Sequence, residues 1–179
     1  VLAAPPTLHF VWTWFQETTA GLKLRESQLL SGRFTPSESE MHLLGLTHDE
    51  LRTLFRRYAH ELNEVASLAM IASAEAVLRI DFEKRVSHRL KDKISREFRD
   101  IKRRRGVRVR LDEDILETWV AAGAAGKGII GDFRALLNLR DWLAHGRYWA
   151  PKLGQQYDAQ GVFSVSNRLL GKLSILPSD

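Results

Sequence analysis

The chain has 179 residues, of which 27 are Lys or Arg, 22 are Asp or Glu and none is Cys, and 44% are hydrophobic. At this length a single domain is the default and roughly 70% of the extended surface is buried, so no disulfide or metal is needed for stability. The missing cysteines exclude a disulfide framework, a thiolate metal site and a cysteine nucleophile. No apolar run reaches the roughly 18 residues of a membrane span, and residues 1–7 lack the pattern of a signal peptide. We therefore expect a cytoplasmic protein with no membrane partner.

Positive charge is concentrated between residues 84 and 110. This segment holds thirteen basic and three acidic side chains, a net charge of +10, which leaves the rest of the chain at −5. Such polarisation is typical of a protein that binds an anionic partner. A solvated helix face is the alternative interpretation. The predicted phosphate-binding residues of the segment are Lys102, Arg103, Arg104 and Arg105.

Helical hydrophobic periodicity predicts an all-α protein. An aromatic-rich first helix is predicted over residues 8–19, followed by a polar loop that contains Gly32 and Pro36. Thr47 and Glu50 form a capping box, which starts a second helix whose apolar pattern runs to Leu78. That length predicts a bend or a second stacked helix. We expect residues 1–46 to pack on a main domain formed by residues 47–179.

Further elements follow from the spacing of apolar residues and from helix breakers. Apolar positions from Phe82 to Ile101, spaced by four and finally three, predict one basic helix that ends at Gly106, followed by a short extended segment over residues 107–111. Asp112 is predicted to cap the next helix. Glycines between residues 123 and 131 predict a break before Asp132 caps a helix over residues 133–145, and a last helix is predicted over residues 162–176.

Arg140 lies near the middle of the apolar face of the penultimate predicted helix. An unpaired buried charge costs several kcal/mol, so Arg140 needs an acidic partner. Glu75 is the best candidate, because it is also embedded in an apolar stripe, and we expect the two helices to pack together. The alternative places Glu75 in solvent at a helix kink. The face around Arg140 consists of Phe133, Leu136, Leu137, Leu143 and Ala144.

His145 lies about 140° around this helix from Arg140, with Asp141 one turn before it and Asn138 two turns before it. Asp141 is therefore placed to orient the imidazole ring. On spacing alone, an ordinary surface contact beside a structural arginine is the favoured interpretation. Trp142 and Trp149 lie on the flank beside His145, where they either pack in the core, stack on bases or form a dimer interface.

Residues 140–146, Arg-Asp-Trp-Leu-Ala-His-Gly, are similar to the Arg-x4-6-His signature of HEPN domains, in which a polar residue commonly follows the arginine. The resemblance covers about residues 48–176. It implies a HEPN-like bundle of about five to six helices, with the N-terminal aromatic-rich helix as an addition. It also implies that Arg140 and His145 are the catalytic pair and Asp141 a supporting polar residue. Some family toxins carry a tyrosine two residues after the histidine, whereas here that position is Arg147 and Tyr148 follows it. Arg147 is predicted either to hold substrate phosphate or to extend from the helix end.

Many HEPN domains are metal-independent endoribonucleases that act as homodimers in toxin–antitoxin, phage-defence or RNA-processing systems. The resemblance therefore implies an RNA substrate, a homodimer, no metal or cofactor, and an antitoxin protein as a possible partner. Arginine and histidine can supply the charge stabilisation and the proton transfers that RNA cleavage needs. The first alternative is a catalytically inactive HEPN-like module that binds RNA or a protein. The second alternative is a helical adaptor whose basic helix pairs with an acidic protein.

Overall fold

The computed structural model describes residues 5–33, 37–147 and 157–177. Over these residues the chain forms helices and turns with no β-strand, which confirms the all-α prediction. Its α-helices are α1 (Leu8–Leu30), α2 (His48–Ser87), α3 (Lys93–Arg105), α4 (Glu117–Ala121), α5 (Lys127–Ala144) and α6 (Ala159–Lys172). Short helical turns occupy Glu38–Leu43, Gly106–Arg108 and Leu111–Leu116. None of the described helices is long and apolar enough to span a membrane.

The 40-residue helix α2 is the element against which α1, α3, α5 and α6 pack. It begins at the predicted capping box, where the Thr47 N–H donates to Glu50 Oε2 at 2.7 Å and the Glu50 N–H donates to Thr47 Oγ1 at 3.3 Å. The helix is continuous to Ser87, so the prediction of a new helix from Phe82 is wrong. The physical reason is a row of buried residues at spacings of four, near the 3.6-residue period of a helix, that continues through residue 82 without a break. This row consists of Ala66, Met70, Ala74, Leu78 and Phe82.

The single basic helix predicted from Phe82 to Gly106 is divided by a turn after Ser87. Arg89 adopts a left-handed conformation with φ 50°, and Asp92 caps α3 by accepting a hydrogen bond from the Ser95 N–H at 3.0 Å. The chain folds back at this turn, so that Phe98 packs on Phe82 with ring centroids 4.9 Å apart. The positive charge of the segment is therefore split between the end of α2, the turn and α3.

The first helix is longer than predicted, because it runs to Leu30 instead of ending near residue 19. It packs on α2 and α6, and Trp12 stacks on Phe163 with ring centroids 4.7 Å apart. Residues 34–36, including Pro36 of the predicted loop, lie outside the described residues. The rest of that loop contains the turn Glu38–Leu43, whose Leu43 joins a small second core with Leu51 and Phe55 of α2.

Two predicted helix caps are wrong. Asp112 lies within the turn Leu111–Leu116 and forms an ion pair with Arg134, while Asp114 Oδ2 accepts the Arg110 N–H at 2.8 Å. Asp132 lies inside α5, where its side chain accepts a hydrogen bond from Arg168 at 2.5 Å.

The bounds of α5 and α6 also differ from the prediction. Helix α5 begins at Lys127 and continues through Gly128 and Gly131, because burial of Ile130 and Phe133 outweighs the low helix propensity of glycine. Helix α6 begins earlier than predicted, at Ala159, and ends at Lys172.

Candidate functional site

The end of α5 places His145 at the protein surface. His145 is the C-terminal capping residue, and its N–H donates to the Asp141 carbonyl at 3.0 Å. Gly146 follows with φ 84°, and the Arg147 N–H donates to the Trp142 carbonyl at 3.2 Å. This is the Schellman arrangement, which needs a left-handed residue directly after the cap and so explains the glycine. The backbone therefore fixes the position from which the exposed His145 side chain extends.

Arg140 joins α5 to α2 through an ion pair between its Nη1 and Glu75 Oε2. Its Nε and Nη2 donate to Asp141 Oδ1 at 3.0 and 2.6 Å. The predicted pairing of Glu75 with Arg140 is thereby confirmed. Both side chains are half-buried, with 27% of Arg140 and 17% of Glu75 exposed. Desolvation by burial lowers the pKa of Arg140, but the hydrogen bonds that it donates to Asp141 and Glu75 and the charges of both acids raise it above its ordinary value. The guanidinium is therefore held charged and oriented.

Glu75 also holds a second arginine, Arg79, which the sequence did not indicate as a site residue. Arg79 Nε donates to Glu75 Oε1 at 2.9 Å, so each oxygen of this carboxylate binds a different guanidinium. The signal available in the sequence was the i,i+4 spacing of Glu75 and Arg79 on one helix.

The other predicted residues near His145 have different surroundings. The Asp141 carboxylate accepts from Arg140, and its predicted contact with the His145 ring stays a prediction. Asn138 is exposed on α5. Trp142 is half-buried and packs against the main core. Trp149, together with Tyr148, lies outside the described residues.

Arg147 attaches the chain after α5 to the first half of α2. Its Nη1 and Nη2 donate to Glu61 at 3.1 and 2.9 Å, and Nη1 also pairs with Glu64. These hydrogen bonds lower the pKa of Glu61 and raise the pKa of Arg147. His60 Nε2 lies 3.3 Å from Glu64. Arg147 has φ 59°, a left-handed conformation that costs a non-glycine residue roughly 1 kcal/mol or more. A phosphate would have to displace two carboxylates to reach this guanidinium.

Part of the basic segment is structural. Arg85 is 4% exposed, and it binds Asp81 at 2.8 Å, Asp92 at 3.3 Å and Ser95 at 3.3 Å. Its guanidinium carbon also lies 5.1 Å from the centre of the Trp119 ring. The buried position and the number of partners indicate that Arg85 stabilises the junction of α2 and α3.

The four predicted phosphate-binding residues at the end of α3 divide into two pairs. Lys102 and Arg105 form ion pairs with other elements, to Glu83 at 2.6 Å and to Asp114 at 3.3 Å. Arg103 pairs only within its own helix and is 78% exposed, while Arg104 is exposed and has no ion pair in the described part of the chain. Arg103 and Arg104 are therefore the more available of the four. Lys102 binds Glu83 and Arg140 binds Glu75, and these two acids are about 12 Å apart along α2. The basic surface at the end of α3 is therefore separate from Arg140.

The chemistry available at the end of α5 is proton transfer and anion stabilisation. An exposed imidazole lies five residues after a half-buried arginine that two carboxylates orient. Within residues 5–33, 37–147 and 157–177, no group of three or more His, Asp or Glu side chains is arranged to hold a metal ion. A scan against models of known protein families, a search of curated proteins and a search of solved structures found no match to this chain.

Proposed function

We propose that this chain is a metal-independent endoribonuclease of the HEPN type. The observation that carries the proposal is the fixed, charged Arg140, which Glu75 and Asp141 hold on the same helix end that presents His145 to solvent. A permanently charged donor beside an exposed imidazole suits a reaction that moves protons and develops negative charge on phosphate.

The proposed reaction is attack of an RNA 2′-hydroxyl on the adjacent phosphorus. A general base removes the hydroxyl proton, the bond between O2′ and phosphorus forms, and the bond from phosphorus to O5′ breaks as a general acid protonates the leaving oxygen. The products are a 2′,3′-cyclic phosphate and a 5′-hydroxyl. Arg140 stabilises the charge on the phosphorane-like transition state, and His145 carries a proton in one of the two transfers.

A homodimer completes this scheme because the reaction has two proton transfers and the motif has a single histidine. Two copies of the α5 end at one cleft would supply two His145 and two Arg140 side chains. A role in toxin–antitoxin, phage-defence or RNA-processing systems, and an antitoxin protein partner, belong to the same proposal. They rest on the resemblance of residues 140–146 to the HEPN signature.

A catalytically inactive module that binds RNA or a protein is the second candidate. The observation that favours it is the engagement of Arg140 and Arg147 by acids: Arg140 binds Glu75 and Asp141, and Arg147 binds Glu61 and Glu64. These carboxylates offset the positive charge that would attract a phosphate at the end of α5.

Cleavage of a labelled mixed-sequence RNA in EDTA tests the proposal. We expect the purified wild type to cleave, and both His145→Ala and Arg140→Ala to lose cleavage by at least about a hundredfold while remaining folded by circular dichroism. The matched control is His88→Ala, which removes another exposed histidine at the C-terminal cap of a helix, α2. A wild type that binds RNA and leaves it intact would favour the binding module.

A further inference from the structure

The carboxylate of Glu75 bridges two guanidinium groups on one exposed side of the α2–α5 junction. Oε2 pairs with Arg140 Nη1, and Oε1 accepts from Arg79 Nε at 2.9 Å. A single acid therefore holds two cations close together, and the second cation belongs to a helix that the HEPN-like motif does not include.

The two arginines differ in their free hydrogen-bonding capacity. Arg140 uses Nη1 on Glu75 and both Nε and Nη2 on Asp141, which engages three of its five N–H donors. Arg79 uses only Nε, and within the described residues its Nη1 and Nη2 have no hydrogen-bond or ion-pair partner. The Arg79 side chain is 47% exposed. Arg79 therefore has four N–H donors available for an anion, against two on Arg140.

Small side chains lie beside Arg79 on α2. Ala72 is exposed and Ala76 is half-buried, and they lie two turns and about one turn before Arg79 on the same side of α2. Methyl side chains are too short to cover a neighbouring arginine, which agrees with the 47% exposure of Arg79.

We propose that Arg79 is a second guanidinium that contacts the RNA backbone phosphate at this site, with Glu75 aligning it beside Arg140. This inference rests on the proposed ribonuclease function. The two terminal nitrogens of an arginine match two non-bridging phosphate oxygens, which makes a bidentate contact. A polyanion is favoured over an isolated acidic side chain because the neighbouring helix α3 carries seven basic and two acidic residues.

The test is binding of a fluorescent single-stranded RNA that 2′-O-methyl groups make resistant to this cleavage, measured by anisotropy over a range of salt concentrations. We expect Arg79→Gln to raise Kd about tenfold, the loss typical of one charge-assisted contact, and to lower the salt slope by about 0.7. Arg79→Lys retains the charge, so its salt slope should match that of the wild type. The control is Arg52→Gln, on the same helix, because Arg52 is 54% exposed and pairs with Asp49 at i,i+3. We expect its Kd to equal that of the wild type.

Measuring binding and cleavage together distinguishes failure of the inference from failure of the proposed function. If the wild type cleaves and binds RNA but Arg79→Gln binds as Arg52→Gln does, the role of Arg79 is overturned and the ribonuclease proposal stands. A wild type that neither binds nor cleaves RNA overturns both. A third outcome is that the wild type binds a polyglutamate peptide but not RNA, and that Arg79→Gln abolishes the peptide binding. This outcome would assign the surface to an acidic protein and also overturn the inference.

Discussion

Glu75 of α2 forms an ion pair with Arg140 of α5 across 65 residues of sequence. Both side chains are half-buried, and the pair fixes the helix end that carries His145 against the longest helix of the protein. The same acid binds Arg79, so this carboxylate organises the cations of the candidate site.

Replacing Glu75 tests this organising role. Glu75→Gln should keep the fold and lower the free energy of unfolding by about 1 kcal/mol, because one uncharged amide replaces the acid between two cations. Cleavage of RNA should fall about tenfold as Arg140 loses its alignment. Urea unfolding and initial cleavage rates measure the two effects. The control is Glu97→Gln, an exposed acid on α3. A Glu75→Gln variant with the stability and activity of the wild type would show that the pair has no role.

Arg85 should contribute to stability far more than the exposed arginines of the same basic segment. Arg85→Met leaves Asp81, whose side chain is 0% exposed, without its guanidinium, and removing one partner of a buried pair costs about 3–5 kcal/mol. Arg103→Met removes a 78% exposed side chain and should cost less than about 0.5 kcal/mol. Urea unfolding of both variants measures the difference. Equal losses would contradict the structural role of Arg85.

Asp92, the N-cap of α3, should make the free energy of unfolding depend on pH in the acidic range. Desolvation raises the pKa of Asp92, but hydrogen bonds from Ser95 and the charge of Arg85 lower it below its ordinary value. A carboxyl with a lowered pKa in the folded state stabilises the protein above its unfolded pKa of about 4, and this contribution is lost as pH falls through the folded pKa.

Asp92→Asn isolates this charge effect because asparagine is also a good N-cap. The variant should be less stable than the wild type at neutral pH, and the difference should shrink steadily below about pH 4. Urea unfolding at several pH values measures it. A difference that stays constant down to about pH 2 would show that the Asp92 charge is not responsible.

Arg147 should hold the end of α5 in place more than it stabilises the whole fold. Its contacts with Glu61 and Glu64 are near the surface, so Arg147→Ala should change the free energy of unfolding by at most about 1 kcal/mol. Amide hydrogen exchange of residues 141–147 should become several-fold faster as this segment opens locally. Arg52→Ala, with an exposed pair elsewhere on α2, is the control. Unchanged exchange in Arg147→Ala would contradict the attachment role.

The sequence predicts features that depend on local pattern or on a charge in an apolar face. The sequence predicts the Thr47 capping box, which is present, because Thr and Glu at this spacing each accept a hydrogen bond from the other's backbone N–H within one turn. The sequence also predicts the pairing of Glu75 with Arg140, because each charge interrupts an apolar stripe and a charge in such a position needs an opposite charge close to it.

The sequence does not predict features that depend on where distant elements meet. The apolar spacing of four continues across the turn after Ser87, so periodicity alone gives one helix where the structure has two. The Asp92 cap with Ser95 was the local signal of that break. The sequence alone does not show that Arg147 is held by acids, because its partners, Glu61 and Glu64, lie 86 and 83 residues earlier in the chain.

The chemistry of the cleaved ends tests the central claim most directly. RNA of defined sequence is incubated with the wild-type protein in EDTA, and the products are identified by mass spectrometry. Attack by the 2′-hydroxyl predicts 2′,3′-cyclic phosphate and 5′-hydroxyl ends, which His145→Ala and Arg140→Ala should not produce. Products with 3′-hydroxyl and 5′-phosphate ends, or identical cleavage by the two variants, would contradict the proposed role of these residues.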